Sequence, residues 1–252
     1  MFIENMNILL TNDDGVFAPG IAAAYKELTR LGNVTVVAPA GRMSGAGHSI
    51  TVFEPLLCEK VEIEGQFSGY SVSGSPADCV KLAIMELCPK KPDIVISGIN
   101  NGANVGINVY YSGTVAAAME AVFYRIPAIA VSCAHEDQMD FIAAAKYAFE
   151  VISKLPVVNL LGVININIPR LSQGKPKGVK VVPQSTMGFE EHFVKKQSDT
   201  GQILYQLAGG GHLDTNVPSD TLALVDGFIT VTALGFDMTD YKNMEKLHQI
   251  KW

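Results

Sequence analysis

Five short apolar runs, at residues 6–10, 34–38, 93–97, 128–132 and 163–168, recur along the first two thirds of this chain. Stretches with the length and composition of helices fall between them, at 19–31, 77–87, 115–124 and 141–155. Mostly apolar runs of this length belong to strands covered on both faces. Strands of that kind pair in parallel, and a parallel return needs a crossover long enough to hold a helix. Few architectures satisfy both demands.

The order therefore predicts an α/β fold, a three-layer, Rossmann-like, mostly parallel sheet with helices on both faces. A hydrophobic fraction of 48% and 23 glycines in 252 residues supply the core and the tight turns such a sheet needs. Ligands of open α/β sheets bind outside the carboxyl ends of the strands, so the loops after Leu10, Ala38 and Ser97 are the places for a site. Beyond about Pro169 the alternation weakens, with Gly, Lys and Pro at 172–177 and glycines at 209–211. Residues 1–170 read as an α/β catalytic core. Residues 171–252 read as an extension packing on it, made of hairpins, a strand at 228–232 and a terminal helix near 239–250. The helix carries Tyr241, Met244, Leu247 and Ile250 on an amphipathic end, which points to a role in assembly as a homodimer or homotetramer.

A formal net charge of −6 offers no broad attraction for a nucleic-acid polymer or an anionic membrane surface. Residues 1–6 carry Glu4 and lack the basic start and apolar stretch of a signal peptide, and no apolar run spans a bilayer, so the chain reads as cytoplasmic. Cys58, Cys79, Cys88 and Cys133 are scattered with no CxxC pair, and read as reduced thiols.

Asp13 and Asp14 stand side by side after the first run. Two adjacent carboxylates repel unless a cation or a shared proton neutralises them; alone, the pair is equally readable as an Asx turn with Asp14-Gly15 at its tip. After the second strand comes the small-residue loop Arg42-Met43-Ser44-Gly45-Ala46-Gly47-His48-Ser49, able to bring hydroxyls and amides to an ion, with His48 more simply read as a surface or packing histidine. The loop Ser97-Gly98-Ile99-Asn100-Asn101-Gly102-Ala103-Asn104 offers oxygen and amide groups without thiol or imidazole, so Asn100 and Asn104 are candidates for a hard cation or a phosphate. Ser112-Gly113-Thr114 precedes an alanine-rich helix, where free amides attract a phosphate and where plain capping also explains a hydroxyl. Asp78, in Ser75-Pro76-Ala77-Asp78, reads as a helix start.

Taken in order, Asn12-Asp13-Asp14-Gly15, Arg42-x-Ser44-Gly45 with Ser49-Ile50-Thr51, Ser75-Pro76-Ala77-Asp78-Cys79-Val80, Ser97-Gly98-Ile99-Asn100 with Asn104 and Gly106, and Tyr111-Ser112-Gly113-Thr114-Val115 resemble the signature of the SurE family. The resemblance runs to Asn165-Ile166-Asn167-Ile168-Pro169 and more faintly through 228–232. It implies a metal-dependent 5'-nucleotidase, a phosphoric monoester hydrolase acting on nucleoside monophosphates, with 3'-nucleotides and short polyphosphate as further substrates. It implies one divalent cation per subunit, Mg or Mn, on Asp13, Asp14, Ser44 and Asn100. Ser44, Gly45, Asn104, Ser112, Gly113 and Thr114 would face the phosphate, with Asp13, Asn104 and Ser112 as the catalytic set. Ala40-Gly41 departs from the acidic start associated with the Arg-containing loop, and Ala233 stands where a Pro often follows the strand's Thr.

Rival readings fail on particular residues. A dinucleotide-binding oxidoreductase needs GxGxxG where this chain has Asp13-Asp14-Gly15. A haloacid-dehalogenase-type phosphatase needs Asp-x-Asp. A non-enzymatic, magnesium-binding receiver-like signalling module is the main alternative, and it would need an acceptor aspartate where this chain has Ser97-Gly98.

Overall fold

The computed structural model describes residues 5–63, 65–156, 162–212 and 217–252. The start of the chain, residues 1–4, on which the reading of a missing leader partly rests, lies outside the described residues. The elements run β1 (Met6–Thr11), α1 (Pro19–Leu28), β2 (Gly32–Pro39), β3 (Cys58–Ile63), β4 (Phe67–Val72), α2 (Pro76–Leu82), β5 (Ile94–Asn101), α3 (Gly113–Phe123), β6 (Ala128–Cys133), α4 (Phe141–Ile152), β7 (Val163–Ile168), β8 (Val179–Val181), β9 (Phe189–Gln197), β10 (Ile203–His212), α5 (Asp220–Val225), β11 (Ile229–Leu234) and α6 (Tyr241–Leu247).

Nine strands form one sheet in the order β3-β4-β2-β1-β5-β6-β7-β11-β8, and β9 pairs with β10 as a separate antiparallel hairpin. β2, β1, β5, β6 and β7 are mutually parallel, as the apolar runs predict. β3 runs antiparallel to β4, and β11 antiparallel to β7. Side chains alternate between two cores because successive Cβ atoms of a strand point to opposite faces. Ile8 and Leu10 of β1, Ile94 and Ile96 of β5 and Ile129 and Val131 of β6 pack with α1 and α4. Leu9, Val95, Ala128 and Ala130 pack the other way, with α2 and α3. The three layers follow from that alternation. Among the described residues no helix is long and apolar enough to cross a membrane.

β1 lies inside the sheet, between β2 and β5. The chain leaves it toward β2 on one side and later returns to β5 on the other, which makes the β1/β5 boundary the topological switch point where open sheets bind ligands. Register there is tight, with Thr11 facing Ser97. Beyond Ser97 the pairing of β5 with β6 slips until Asn100 meets Ser132. Gly98 makes that irregularity: its φ is +138°, and a Cβ on it would lie 2.2 Å from the Val131 carbonyl oxygen. The bulge thereby directs Asn100 and Asn101 to the sheet's carboxyl end.

The structure departs from the sequence expectation in several elements. α1 stops at Leu28, three residues short of the predicted 19–31 stretch, and the 77–87 stretch divides into α2 and one wide π-type turn over Ala83–Leu87. β3, β4, β8 and α5 were not anticipated. The strand expected at 228–232 is β11, which with β8 extends the main sheet past β7, so the region beyond 170 begins by completing the core sheet. The remainder of that region is the expected hairpin, β9–β10, and the terminal helix, shorter than 239–250 and without a buried residue.

Candidate active site

Asp13 lies just past β1, buried to 4% exposure. The turn carrying it is held by Asn12, whose Nδ2 donates to the Gly15 carbonyl and whose Oδ1 accepts from the Gly15 N–H. Burial pushes the Asp13 carboxyl up to about 6, and the neighbouring Asp14 adds to the rise. Thr114 works against both: its hydroxyl donates to Asp13 Oδ1 at 2.5 Å, and its backbone N–H also favours the ionised form. Asp13 therefore touches the first turn of α3, and Gly113 leaves the room for it, since a Cβ there would stand 2.8 Å from Asp13 Cβ.

Asp14 reaches the other way. Its Oδ2 accepts the Asn101 N–H at 2.9 Å, and its Oδ1 is 3.3 Å from Arg42 Nε. The same Nε donates to Ser44 Oγ at 2.9 Å. The Arg42 loop is clipped to both flanks of the site, by Met43 N–H on the Asp13 carbonyl (2.8 Å) and Gly47 N–H on the Tyr111 carbonyl (3.0 Å). Gly45 adopts φ +73° between these clips, a backbone state that glycine tolerates without strain. Asn100 donates its Nδ2 to the Gly102 carbonyl at 2.7 Å, which turns its Oδ1, a hard oxygen donor, away from that bond.

Asp13, Asp14, Ser44 and Asn100 are all oxygen donors, the set a hard divalent cation prefers. Two adjacent acids with one arginine between Asp14 and Ser44 leave negative charge that such an ion would balance. No group of three or more His, Cys, Asp or Glu side chains capable of holding a metal forms among the described residues. A cation here would rest on two carboxylates completed by neutral oxygens.

Ser112 is the N-cap of α3, its Oγ accepting the Val115 N–H at 3.1 Å. That bond uses the oxygen as acceptor and leaves the hydroxyl hydrogen available to donate. The N–H of Gly113, at the first helical position, has no intrahelical acceptor. Thr114, by contrast, spends its hydroxyl on Asp13. Asn104 is buried in a separate polar network: its N–H donates to Asn167 Oδ1 at 2.8 Å, its Nδ2 to Ser132 Oγ at 2.8 Å, and its carbonyl accepts from Asn165 and Asn167. The structure thus brings Asp13, Gly113 and Thr114 together, and Asp14, Arg42, Ser44 and Asn101 together, while the bonds of Asn104 run to the ends of β6 and β7.

Several contacts of these loops were not legible in the sequence. Arg42 and the Asn101 amide touch Asp14 directly. Glu120, on the otherwise apolar α3, is 3% exposed; it accepts from His48 Nε2 at 2.9 Å and forms an ion pair with Lys81 Nζ at 2.7 Å. Burial alone would raise its pKa, but those two partners outweigh it and hold the carboxyl below the usual range. Asp78 does start α2 as read, within a capping box with Ser75, and it also takes the Thr51 N–H and hydroxyl. Asp220 accepts the Gly106 N–H at 2.9 Å and the Ser185 N–H at 2.8 Å, tying the β5–α3 connection to the tail of the chain. For Glu120 and Asp220 the available signal was an acid in an apolar or helix-start context; their long-range partners are too distant in sequence to read.

The model of the family described as survival protein SurE matches residues 8–191. The chain belongs to the SurE family. Its SurE relatives include 5'-nucleotidase SurE of Desulfitobacterium hafniense (strain DSM 10664 / DCB-2), 46% identical over 246 residues, which are 97% of this chain and 96% of that protein. 5'-nucleotidase SurE of Syntrophobacter fumaroxidans is 42% identical over 250 residues, 98% of this chain and 99% of its own. The crystal structure of the SurE protein from Aquifex aeolicus superposes with a TM-score of 0.80 at 38% identity, covering 96% of this chain and 98% of that one. SurE membership implies in general a divalent cation, and the oxygen donors around Asp13 and Asp14 accord with it. The receiver-like alternative finds no support in this SurE fold, whose β5 carries Ser97-Gly98 where that module needs an aspartate.

Proposed function

We propose that this chain is a 5'-nucleotidase that hydrolyses nucleoside monophosphates to nucleoside and phosphate with the help of one Mg or Mn ion held by Asp13, Asp14, Ser44 and Asn100. The observation that carries the reading is the packing of the buried Asp13, neighbour of Asp14, against a helix N-terminus through Gly113 and Thr114. Such a site brings a cation's charge and a phosphate's charge to the same place. The bound cation would supply charge neutralisation and an acidified water.

The remaining work falls to side chains and backbone. Ser112 donates its hydroxyl to a phosphoryl oxygen, while the Gly113 N–H, Ser44 and Gly45 bind the others from two sides. Asp13 orients the attacking water. Thr114 acts on the phosphate through Asp13, which it holds by a hydrogen bond. Asn104 keeps the β5–α3 connection in place through its bonds to Ser132, Asn165 and Asn167, and the second hydrogen of its Nδ2 is its donor for a phosphoryl oxygen.

The reading extends to 3'-nucleotides and short polyphosphate, which share the terminal phosphate and differ beyond it. It extends also to a cytoplasmic homodimer or homotetramer. Four free cysteines suit a reducing compartment. Apolar side chains stand exposed on β9–β10 (Phe193, Ile203, Tyr205) and on the tail (Tyr241, Leu247, Ile250), which suits burial against further subunits. Light scattering showing a monomer at all working concentrations rejects that assembly.

Phosphate release from AMP, measured with and without added Mg or Mn, tests the activity. Turnover should vanish with chelator and return with metal, and Asp14→Asn should weaken metal binding more than it weakens folding. Full activity of the exhaustively metal-free protein overturns the proposal.

A further inference from the structure

A second cavity opens beside the phosphate loop. It encloses about 430 Å³ and has Ser112 in its wall, together with His48, Tyr110, Phe123, Gln184 and Phe236. A separate cavity of about 390 Å³, containing Asp14, Arg42 and Asn101, shares no wall residue with it. Asp14 thus borders one space and the cap of α3 borders the other, with Asp13 between them against Gly113 and Thr114.

Aromatic rings form a row along the Ser112 cavity. The His48 ring lies parallel to Phe123 at 5.4 Å, and Phe123 meets Phe236 edge-on at 6.5 Å. Phe123 is 54% exposed and Tyr110 64%, a cost in water that a flat apolar ligand would relieve. His48 does not reach this position by packing alone. Its Nε2 is bonded to Glu120, a carboxylate buried on the inner side of α3, and Lys81 balances the remaining charge. Burying a carboxylate in an alanine-rich helix is unfavourable unless its partners are fixed. Here the partners are a lysine on α2 and the imidazole that faces the cavity. With Nε2 committed, the ring plane and Nδ1 remain for a ligand.

We propose that this cavity receives the nucleoside part of the substrate, the base stacking along the His48–Phe123–Phe236 row, with Glu120 as the positioning residue that sets the His48 ring. The assignment rests on the phosphomonoesterase reading for the place of the phosphate at Ser112. In-line phosphoryl displacement keeps the leaving oxygen opposite the attacking one. The attack is assigned to the acid side, and this cavity is the one that adjoins the loop at Ser112.

The test pairs binding with kinetics. Binding of adenosine alone, without phosphate or metal, is measured by calorimetry for the native protein, Phe123→Ala, Glu120→Ala, Glu120→Gln and Phe17→Ala. Steady-state kcat and KM are measured for AMP and for methyl phosphate. Phe123→Ala should weaken adenosine about tenfold and lower the ratio of AMP to methyl phosphate kcat/KM by a similar factor, through KM. Glu120→Ala should do the same, and Glu120→Gln, which still accepts from His48, should restore most of the loss.

Because Phe123 is largely exposed, its variant reports on the cavity even if the Glu120 variants fold poorly. The assignment is overturned if adenosine does not bind, if both substrates lose activity by one common factor, or if Phe17→Ala in the acid-side cavity shifts AMP where Phe123→Ala does not. Adenosine binding that depends on Phe123 in a protein that cleaves no phosphomonoester upholds the cavity and rejects the hydrolase reading instead.

Discussion

Gly113→Ala tests whether the start of α3 is fitted to Asp13. A Cβ at this position would lie 2.8 Å from Asp13 Cβ, 3.1 Å from Asp13 Oδ2 and 3.1 Å from Pro76 Cγ. Carbon atoms rest at about 3.5–4.0 Å, so the acid or the helix start must retreat by roughly 0.7 Å. Helix propensity pulls the other way, alanine being favoured over glycine by at most about 1 kcal/mol. Overpacking of a tight contact costs about 1–3 kcal/mol. The net stability loss is then about 0–2 kcal/mol, a fall in Tm of several degrees at most for a chain of this size. The catalytic loss should be far larger, because a misplacement approaching 1 Å at a reacting group costs on the order of a hundredfold. The assay is kcat for phosphate release from AMP at saturating Mg or Mn, with a melting curve on the same sample. A kcat within threefold of the native value (roughly 0.6 kcal/mol) would refute the idea that Gly113 exists to admit Asp13.

Ser112→Ala should cost about 1 kcal/mol of stability through the lost cap and on the order of a hundredfold in turnover through the lost donor; a stable variant with near-normal kcat makes the hydroxyl a cap only. Thr114→Val removes the hydroxyl donor to a buried carboxylate, so Asp13 should titrate above its present value of about 6, as read by carboxyl NMR shifts in metal-free protein; no upward movement rejects the role given to Thr114. Asp13 also links stability to pH. Its folded value of about 6 exceeds the ordinary 3.8, so its contribution is greatest below pH 3.8 and about 3 kcal/mol is lost as pH rises through 6. Urea melts of metal-free native protein should therefore gain on Asp13→Asn as pH falls from 7 to 4.5, and a constant difference between the two contradicts the raised value. Asp220→Asn leaves one acceptor oxygen for the Gly106, Ser185 and Thr221 N–H groups and should cost about 2–4 kcal/mol in urea melts.

The central parallel strands and the helices between them were legible because each is a short, mostly apolar run or a helix-length stretch, and burial on two faces leaves that mark in the sequence. The β3–β4 hairpin was not. Glu59, Lys60 and Glu62 decorate an edge strand, as edge strands require, and such a strand resembles a solvated loop. The acid pair and its loops were legible as a site because like charges in sequence demand a neutralising partner. Thr114 read as a phosphate contact because nothing local distinguishes a hydroxyl facing substrate from one facing Asp13. His48 read as a surface or packing residue, and Glu120 did not register, because their meaning lies in a contact between residues 72 positions apart. The tail was divided from the core at residue 170 on texture alone, whereas sheet pairing carries β11 and β8 back beside β7.

The clasp between Asp220 and Gly106 spans 114 positions, and it has a consequence for synthesis. A chain leaving the ribosome completes β1, the acid pair and α3 long before Asp220 emerges. Until then the β5–α3 connection lacks one of its anchors, and β7 is an open sheet edge waiting for β11. A chain stopped before Asp220 should therefore expose that edge and aggregate, even though it already contains every proposed cation ligand. The site belongs to the finished polypeptide and cannot be lifted out as a cassette ending after β7.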